Sequence, residues 1–449
     1  MITQIRIDGF KSFRDFSLDV PPTLLLLGPN GAGKSNLFDA LRLVAGTADR
    51  GFEATVREDS RLSPGALFHR GADEPGHTLT ITVGALVASQ DGPLPVRIRL
   101  RVGRTPGGQV GVLAKSAIWV SGLDEPGWMA DVGLGEEAQA AVARARSAFL
   151  ARTDGVEYLV FKGNLGPAWD PRAPQEFEGE ADEDEDEDED GEKYAEDFAV
   201  APGAELRALV ARECASWFPF VLDPEALRTP TAALATGRTA PDGGNLAAVL
   251  HRVKDRSPGN WRRFVADLAA LVDGVRDIRP LYDRRREEYD FEVEFGNTGW
   301  ISPPALSDGT LRMVALLAAA ADPAWPGGMY VEEIENGMHP EHVADLVRRL
   351  TRGAGVTPDD SAAPASLPYR QLIATTHSPA LLAALRDDLS GSLVFMEQAD
   401  RVDPRKQSVV RTTVARPLRA FDPERDPGET VSPEHVERLL GNLGRRASS

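Results

Sequence analysis

The sequence predicts an α/β protein with a largely parallel central sheet, interrupted by a mostly helical inserted lobe. Three observations carry that prediction. Apolar runs followed by a turn and a helical pattern stand near both ends, at "TLLLLGPNGAGKSNLFDAL" and "YRQLIATTHSPALLAAL". Strands alternating with helices in this way build a sheet covered on both faces. Between the ends, residues 136–152, 204–217, 245–253 and 261–272 read as helices, and none sustains the heptads of a long coiled-coil arm.

Taken in order, "QIRIDGF" and "FSLDV" read as two strands joined near Gly9, Lys11 and Ser12. "TLLLLG" is bounded by Pro-Pro and Gly and reads as a strand buried on both faces. "NLFDALRLVAG" has helical spacing, and "HTLTITVGALV" and "LPVRIRLRV" read as strands. Residues 176–192 hold 13 acidic residues and no Lys or Arg. Such a block repels itself and is expected to be disordered. Then "YDFEVEF" alternates as a strand, "ALSDGTLRMVALL" turns into an apolar helix, and "GMYVEEIENG" is a strand ending in acids. The expected domains are 1–95 and 286–449, two parts of one head with a short tail, and 96–285, the inserted lobe.

Composition narrows the function classes. The net charge is −19, but the acidic run supplies most of it, so basic patches elsewhere stay possible. One cysteine, Cys214, builds neither a disulfide framework nor a Cys-based metal site, which fits a reducing cytosol. The opening residues lack the pattern of a signal peptide, and the longest apolar run, 313–321, is too short to span a bilayer. A cytoplasmic protein without a membrane partner is expected.

"GPNGAGKS" fits the G-x-x-x-x-G-K-[ST] pattern between a strand and a helix. Glycines let the backbone wrap its N–H groups around phosphate oxygens. The expected nucleotide contacts are Gly28, Asn30, Gly31, Ala32, Gly33, Lys34, Ser35 and Asn36. Lys34 can reach the β- and γ-phosphates, and Ser35 can hold Mg²⁺. At the end of "MYVEEIEN", Glu332 can associate with Mg²⁺ and Glu333 can orient the attacking water. His377, in "ATTHSP", can hydrogen-bond a γ-phosphate or the water. His339 is read as structural, and His69, His77 and His251 have no supporting context. Ser307 or Asp308 can cap the helix after it, and Gly309 allows a phosphate to approach the helix N-terminus. One chain does not need two phosphate turns for one nucleotide. The economical reading is that residues 307–309 meet ATP held by a second copy.

"GPNGAGKS", "LSDGT", "VEEIEN" and "TTHS", in this order, resemble the ABC-type ATPase heads of the SMC/RecF group. Within it, "IRIDGFKSFRDFSL" and "PDGGNLAAVLHRV" resemble the RecF-like branch that includes ATPase subunits of bacterial anti-phage systems of the overcoming-lysogenization-defect, Septu and PARIS types. The likeness covers residues 1–45 and 240–385. It implies a P-loop head with an antiparallel subdomain beside the parallel sheet, and a homodimer that sandwiches ATP. It puts Glu333 on the catalytic base, His377 on the switch histidine and Asn336 near the loop that crosses the dimer. Glu332 stands where the group carries Asp, and Asp308 replaces a Gly. Gln90 is a candidate for the Q-loop glutamine.

The expected function is an ATP-hydrolysing dimeric switch that gates an effector protein, a nuclease or toxin encoded nearby, in anti-phage defence or DNA maintenance. The alternative is a RecF-like repair or replication ATPase that binds DNA directly, through Arg284, Arg285 and Arg286 or through Arg252, Lys254, Arg256, Arg262 and Arg263. A self-contained nuclease would need an acidic cluster after His377, where "LVFMEQAD" offers Glu397 and Asp400. A transport ATPase would place the "LSDGT" turn much nearer the P-loop.

Overall fold

The computed structural model describes residues 1–70, 76–105, 107–113, 116–120, 136–153, 158–160, 201–234, 237–324, 327–352, 355–356, 369–389, 391–403, 408–418, 430–433, 435, 436 and 438. The acidic run lies outside them.

The central sheet contains β13 (Gly328–Val331), β15 (Tyr369–Thr376), β3 (Thr23–Leu27), β16 (Leu393–Asp403) and β17 (Ser408–Pro417), in that order. The first four are mutually parallel and β17 is antiparallel to β16. A short β14 (Gly355–Val356) pairs with the start of β15. All five residues of β3 are buried, as a strand covered on both faces must be. Leu24 and Leu26 enter one core, and Leu25 and Leu27 enter the other.

The first core lies between this sheet and an antiparallel one. That sheet runs β2 (Phe16–Asp19), β1 (Ile2–Asp8), β4 (Thr78–Ser89), β5 (Gly92–Arg104), β7 (Ala117–Val120) and β8 (Tyr158–Val160), with β6 (Val110–Val112) on β5. Helix α1 (Lys34–Arg50) fills the space between through Leu37, Phe38 and Leu41. Helices α2 (Phe52–Glu58) and α3 (Pro64–Leu67) follow it. Helices α4 (Glu136–Arg152) and α5 (Ala201–Cys214) add Phe149, Leu206 and Val210 to the same core.

The second core lies on the other face. It holds α6 (Pro224–Arg228), α7 (Leu246–Arg256), α8 (Pro258–Leu271), α9 (Asp308–Ala321), α10 (Pro340–Leu350) and α11 (Pro379–Leu385). A third, antiparallel sheet of β10 (Val275–Asp283), β11 (Glu288–Phe295) and β12 (Gly299–Ile301), with β9 (Thr231–Ala232) on β11, flanks it.

The expected boundary at 95/96 falls inside β5, and that at 285/286 falls inside the β10–β11 hairpin. The described helices of the middle region share the cores of the two ends. Residues after His377 build β16 and β17, two strands of the central sheet. Glu397 pairs with Arg416 at 3.2 Å across that hairpin, and Asp400 stands opposite Arg411. Among the described residues no group of three His, Cys, Asp or Glu side chains could hold a metal, and no helix is long and apolar enough to cross a membrane.

Candidate nucleotide site

The P-loop leaves the C-terminal end of β3 and enters α1, where the strand and helix ends supply free backbone groups. Gly28 has φ 154°, and a Cβ there would lie 2.2 Å from Met396 O of β16, so only glycine fits. The loop is clamped from the far end of the chain. Gln398 Nε2 donates to Gly31 O at 2.9 Å and Thr413 Oγ1 donates to Ala32 O at 3.0 Å. Asn30 and Gly31 are exposed at the tip, and Ala32 and Gly33 are buried beneath it. Asn36, expected on the nucleotide, gives its amide to Ser12 Oγ at 2.9 Å. Lys34 is buried and donates to the carbonyls of Gly28 (2.5 Å) and Pro29 (3.0 Å). Burial pulls its ammonium below the usual lysine range, against the attraction of Glu335 and then Glu333.

Glu332 and Glu333 leave β13 beside this loop. Burial raises the Glu332 carboxyl, opposed by Arg61, Arg42 and a hydrogen bond from Ser35. Arg61 stands 3.6 Å away and is also held by Asp39, which gathers Lys11 and Arg42 as well. The second Glu332 oxygen, Oε1, is buried without a partner. A largely buried carboxylate with an orphaned oxygen, near enough to Ser35 for that hydroxyl to lower its pKa, fits a hard divalent cation such as Mg²⁺.

Glu333 adopts φ 48°, the left-handed region that a side chain enters at a cost. Its N–H donates to Thr375 Oγ1 at 2.9 Å, and its carboxylate accepts from Asn336 Nδ2 at 2.6 Å. His377 lies at the end of β15, and Glu335 binds it twice. Oε1 accepts from the His377 backbone N–H at 2.7 Å and lies 3.0 Å from Nδ1. The sequence reading missed Glu335. Its signal was a third acid two residues after Glu333, hidden because the chain leaves the strand at that point. His339 precedes α10 at its N-cap position, 5.9 Å from the ring of His342.

The turn at 307–309 caps α9. Ser307 Oγ accepts from Thr310 N at 3.2 Å, and Asp308 pairs with Arg228 at 2.5 Å. Both side chains are exposed. Gly309 is buried against its own chain, where a Cβ would lie 2.4 Å from Gly337 O in the loop after Glu333. Its missing side chain thus makes room for that loop. Arg312, buried on α9, reaches Leu222 O at 3.3 Å and Glu333 O at 3.4 Å. Among the described residues no hydrogen bond or ion pair joins 307–309 to the P-loop. Gln90 sits in the β4–β5 turn, where its amide oxygen accepts from the Arg152 guanidinium.

Comparison with known proteins agrees with this geometry. A family model described as "AAA domain, putative AbiEii toxin, Type IV TA system" matches residues 166–383, and one described as "AAA domain" matches residues 4–80. The chromosome partition protein Smc of Bordetella petrii is 49% identical over 49 residues, 10% of this chain and 4% of that protein. Smc of Methanocaldococcus jannaschii is 46% identical over 71 residues, 16% of this chain and 6% of that protein. The chain therefore spans a small fraction of the curated relatives it matches. A crystal structure of an Smc head bound to the C-winged helix domain of ScpA superposes with a TM-score of 0.50 at 16% identity, covering 93% of this chain and 98% of that one. At that identity the likeness is one of fold. The chain thus has the fold of an SMC head and resembles AAA-domain proteins over the two matched stretches.

Proposed function

We propose that the chain hydrolyses ATP in a head-to-tail homodimer and uses the cycle to gate a partner protein. The contact between Ser35 and Glu332 carries this reading, because it brings the acid-ended strand directly onto the P-loop. The P-loop N–H groups and Lys34 would cradle the phosphates. Ser35 and Glu332 would hold Mg²⁺, which when bound neutralises phosphate charge. Glu333 would accept a proton from the attacking water, with Asn336 holding its carboxylate and Thr375 holding its backbone. His377 would meet the γ-phosphate or the water, in the ring orientation that Glu335 fixes. Ser307–Gly309 would close on the ATP of the second copy. Their exposed side chains and the lack of a bond to their own P-loop support that arrangement.

The matched model's description names a putative toxin, which supports an anti-phage switch with a nuclease or toxin effector encoded nearby. The Smc relatives named for chromosome partition support the second reading, a head that acts on DNA directly. The test of the dimeric site is complementation. Lys34→Ala and Ser307→Arg proteins should each be inactive, and mixing them should restore part of the ATPase activity through one intact composite site. No recovery after proven subunit exchange would refute the sandwich.

A further inference from the structure

A cluster of arginines lies away from the nucleotide site. Arg263 of α8, Arg349 at the end of α10, Arg352 just after it and Arg370 at the start of β15 line one recess. It is open to solvent and has a cavity volume of about 40 Å³, room for a few waters or a group the size of a phosphate. Its floor is apolar, with Phe264 and Leu317 among the lining residues. Among the described residues the only carboxylate in the lining is Asp267, which is 3.1 Å from Arg349 Nε and 3.3 Å from Arg352. No carboxylate partner stands against Arg263 or Arg370 among the described residues.

Crowding like charges in a partly desolvated recess costs free energy unless an anion offsets it. Guanidinium groups converging from three elements present forked donors, the geometry that grips phosphate oxygens. Desolvation, then Arg263 beside it, lowers Arg370 below the ordinary arginine range. Arg370 lies six positions before the end of β15 at Thr376. At strand spacing that is roughly 20 Å, so the recess sits toward the opposite edge of the sheet from the P-loop. We infer that this recess is a second anion site, built for a phosphate-bearing ligand, held by Arg263, Arg349, Arg352 and Arg370. It does not depend on the ATPase reading. The phosphate belongs either to a free polyphosphate or to a nucleic-acid backbone.

The full chain carrying Lys34→Ala removes the P-loop lysine from the measurement. Inorganic pyrophosphate is titrated into it by calorimetry at low salt. Arg263→Gln with Arg370→Gln, added to that background, should weaken binding by about ten-fold or more. Asp267→Asn should instead tighten it several-fold by removing the competing carboxylate. Thermal melts of each variant separate binding from folding. Equal affinities in folded parent and variants, or weaker binding in folded Asp267→Asn, would overturn the assignment. Adding a short single-stranded oligonucleotide distinguishes the sources. Displacement of pyrophosphate in the parent identifies a nucleic-acid backbone, and its absence identifies a free phosphate compound.

Discussion

Replacing Gly309 by Ala sets two effects of opposite sign against each other. Gly309 is the second residue of α9, where Ala is favoured over Gly by up to about 1 kcal/mol, the helix-interior value. A Cβ at 309, however, would lie 2.4 Å from Gly337 O, roughly 1 Å inside ordinary contact. The obstacle is backbone, and it cannot swing aside. Gly337 has φ 71°, and the turn around it is fixed by Asn336 N→Glu333 O and Met338 N→Glu335 O, both 3.0 Å. Overpacking against such an obstacle costs about 1–3 kcal/mol, so the clash should win by about 1 kcal/mol net. Gly259 in α8 is the control, because a Cβ there meets nothing within 4 Å. Urea unfolding at constant pH should show Gly309→Ala destabilised and Gly259→Ala stabilised by up to about 1 kcal/mol. The displaced loop carries Glu333 and Glu335, so turnover should fall by about 10²-fold in Gly309→Ala alone. A Gly309→Ala protein as stable and as active as Gly259→Ala would refute the close approach between α9 and the 333–338 loop.

Glu333→Gln should bind ATP without turning it over, and light scattering should show a dimer that forms only with ATP; normal turnover would move the base elsewhere. Glu335→Ala should lower kcat with little change in KM, because it frees the His377 ring without touching the phosphate cradle; an unchanged kcat would assign Glu335 a purely structural role. Burial raises the folded pKa of Glu332, so its contribution to stability is present below the unfolded carboxyl value and is lost as pH rises through the folded one. The stability of nucleotide-free, Mg²⁺-free Glu332→Gln relative to the parent should therefore increase from about pH 4.5 upward and then level off; a flat difference across that range would contradict the raised pKa.

The strand–turn segments of the candidate site were legible because each is local. The P-loop glycines, the apolar run before them and the acids ending "MYVEE" each announce a strand–turn geometry within ten residues. The both-face burial of β3 was readable for the same reason. What was not legible depends on partners far away in sequence. β16 and β17 carry Gln398 and Thr413 under the P-loop, yet "LVFMEQADRVD" and "SVVRTTVARP" mix charge with apolar residues and resemble a tail. β5 continues past residue 95 because β4 and β7 pair with it, which no property of "VRIRLRV" alone reveals. Glycine at 309 was legible as a position needing room. Its neighbour, Gly337 of the same chain, was not.

The place of β3 has a consequence for synthesis. Its two neighbours in the sheet, β15 and β16, are made roughly 340 residues later. At about 5–20 residues per second, the nascent strand waits some 20–70 s with both hydrogen-bonding edges unpaired. During that interval it is a sticky edge that a chaperone must shield. Nucleotide affinity should therefore appear late and abruptly, once Thr413 has been made. A prematurely terminated product would hold a complete P-loop sequence without the clamp that shapes it, and so would not compete with the finished protein for ATP or for a dimer partner.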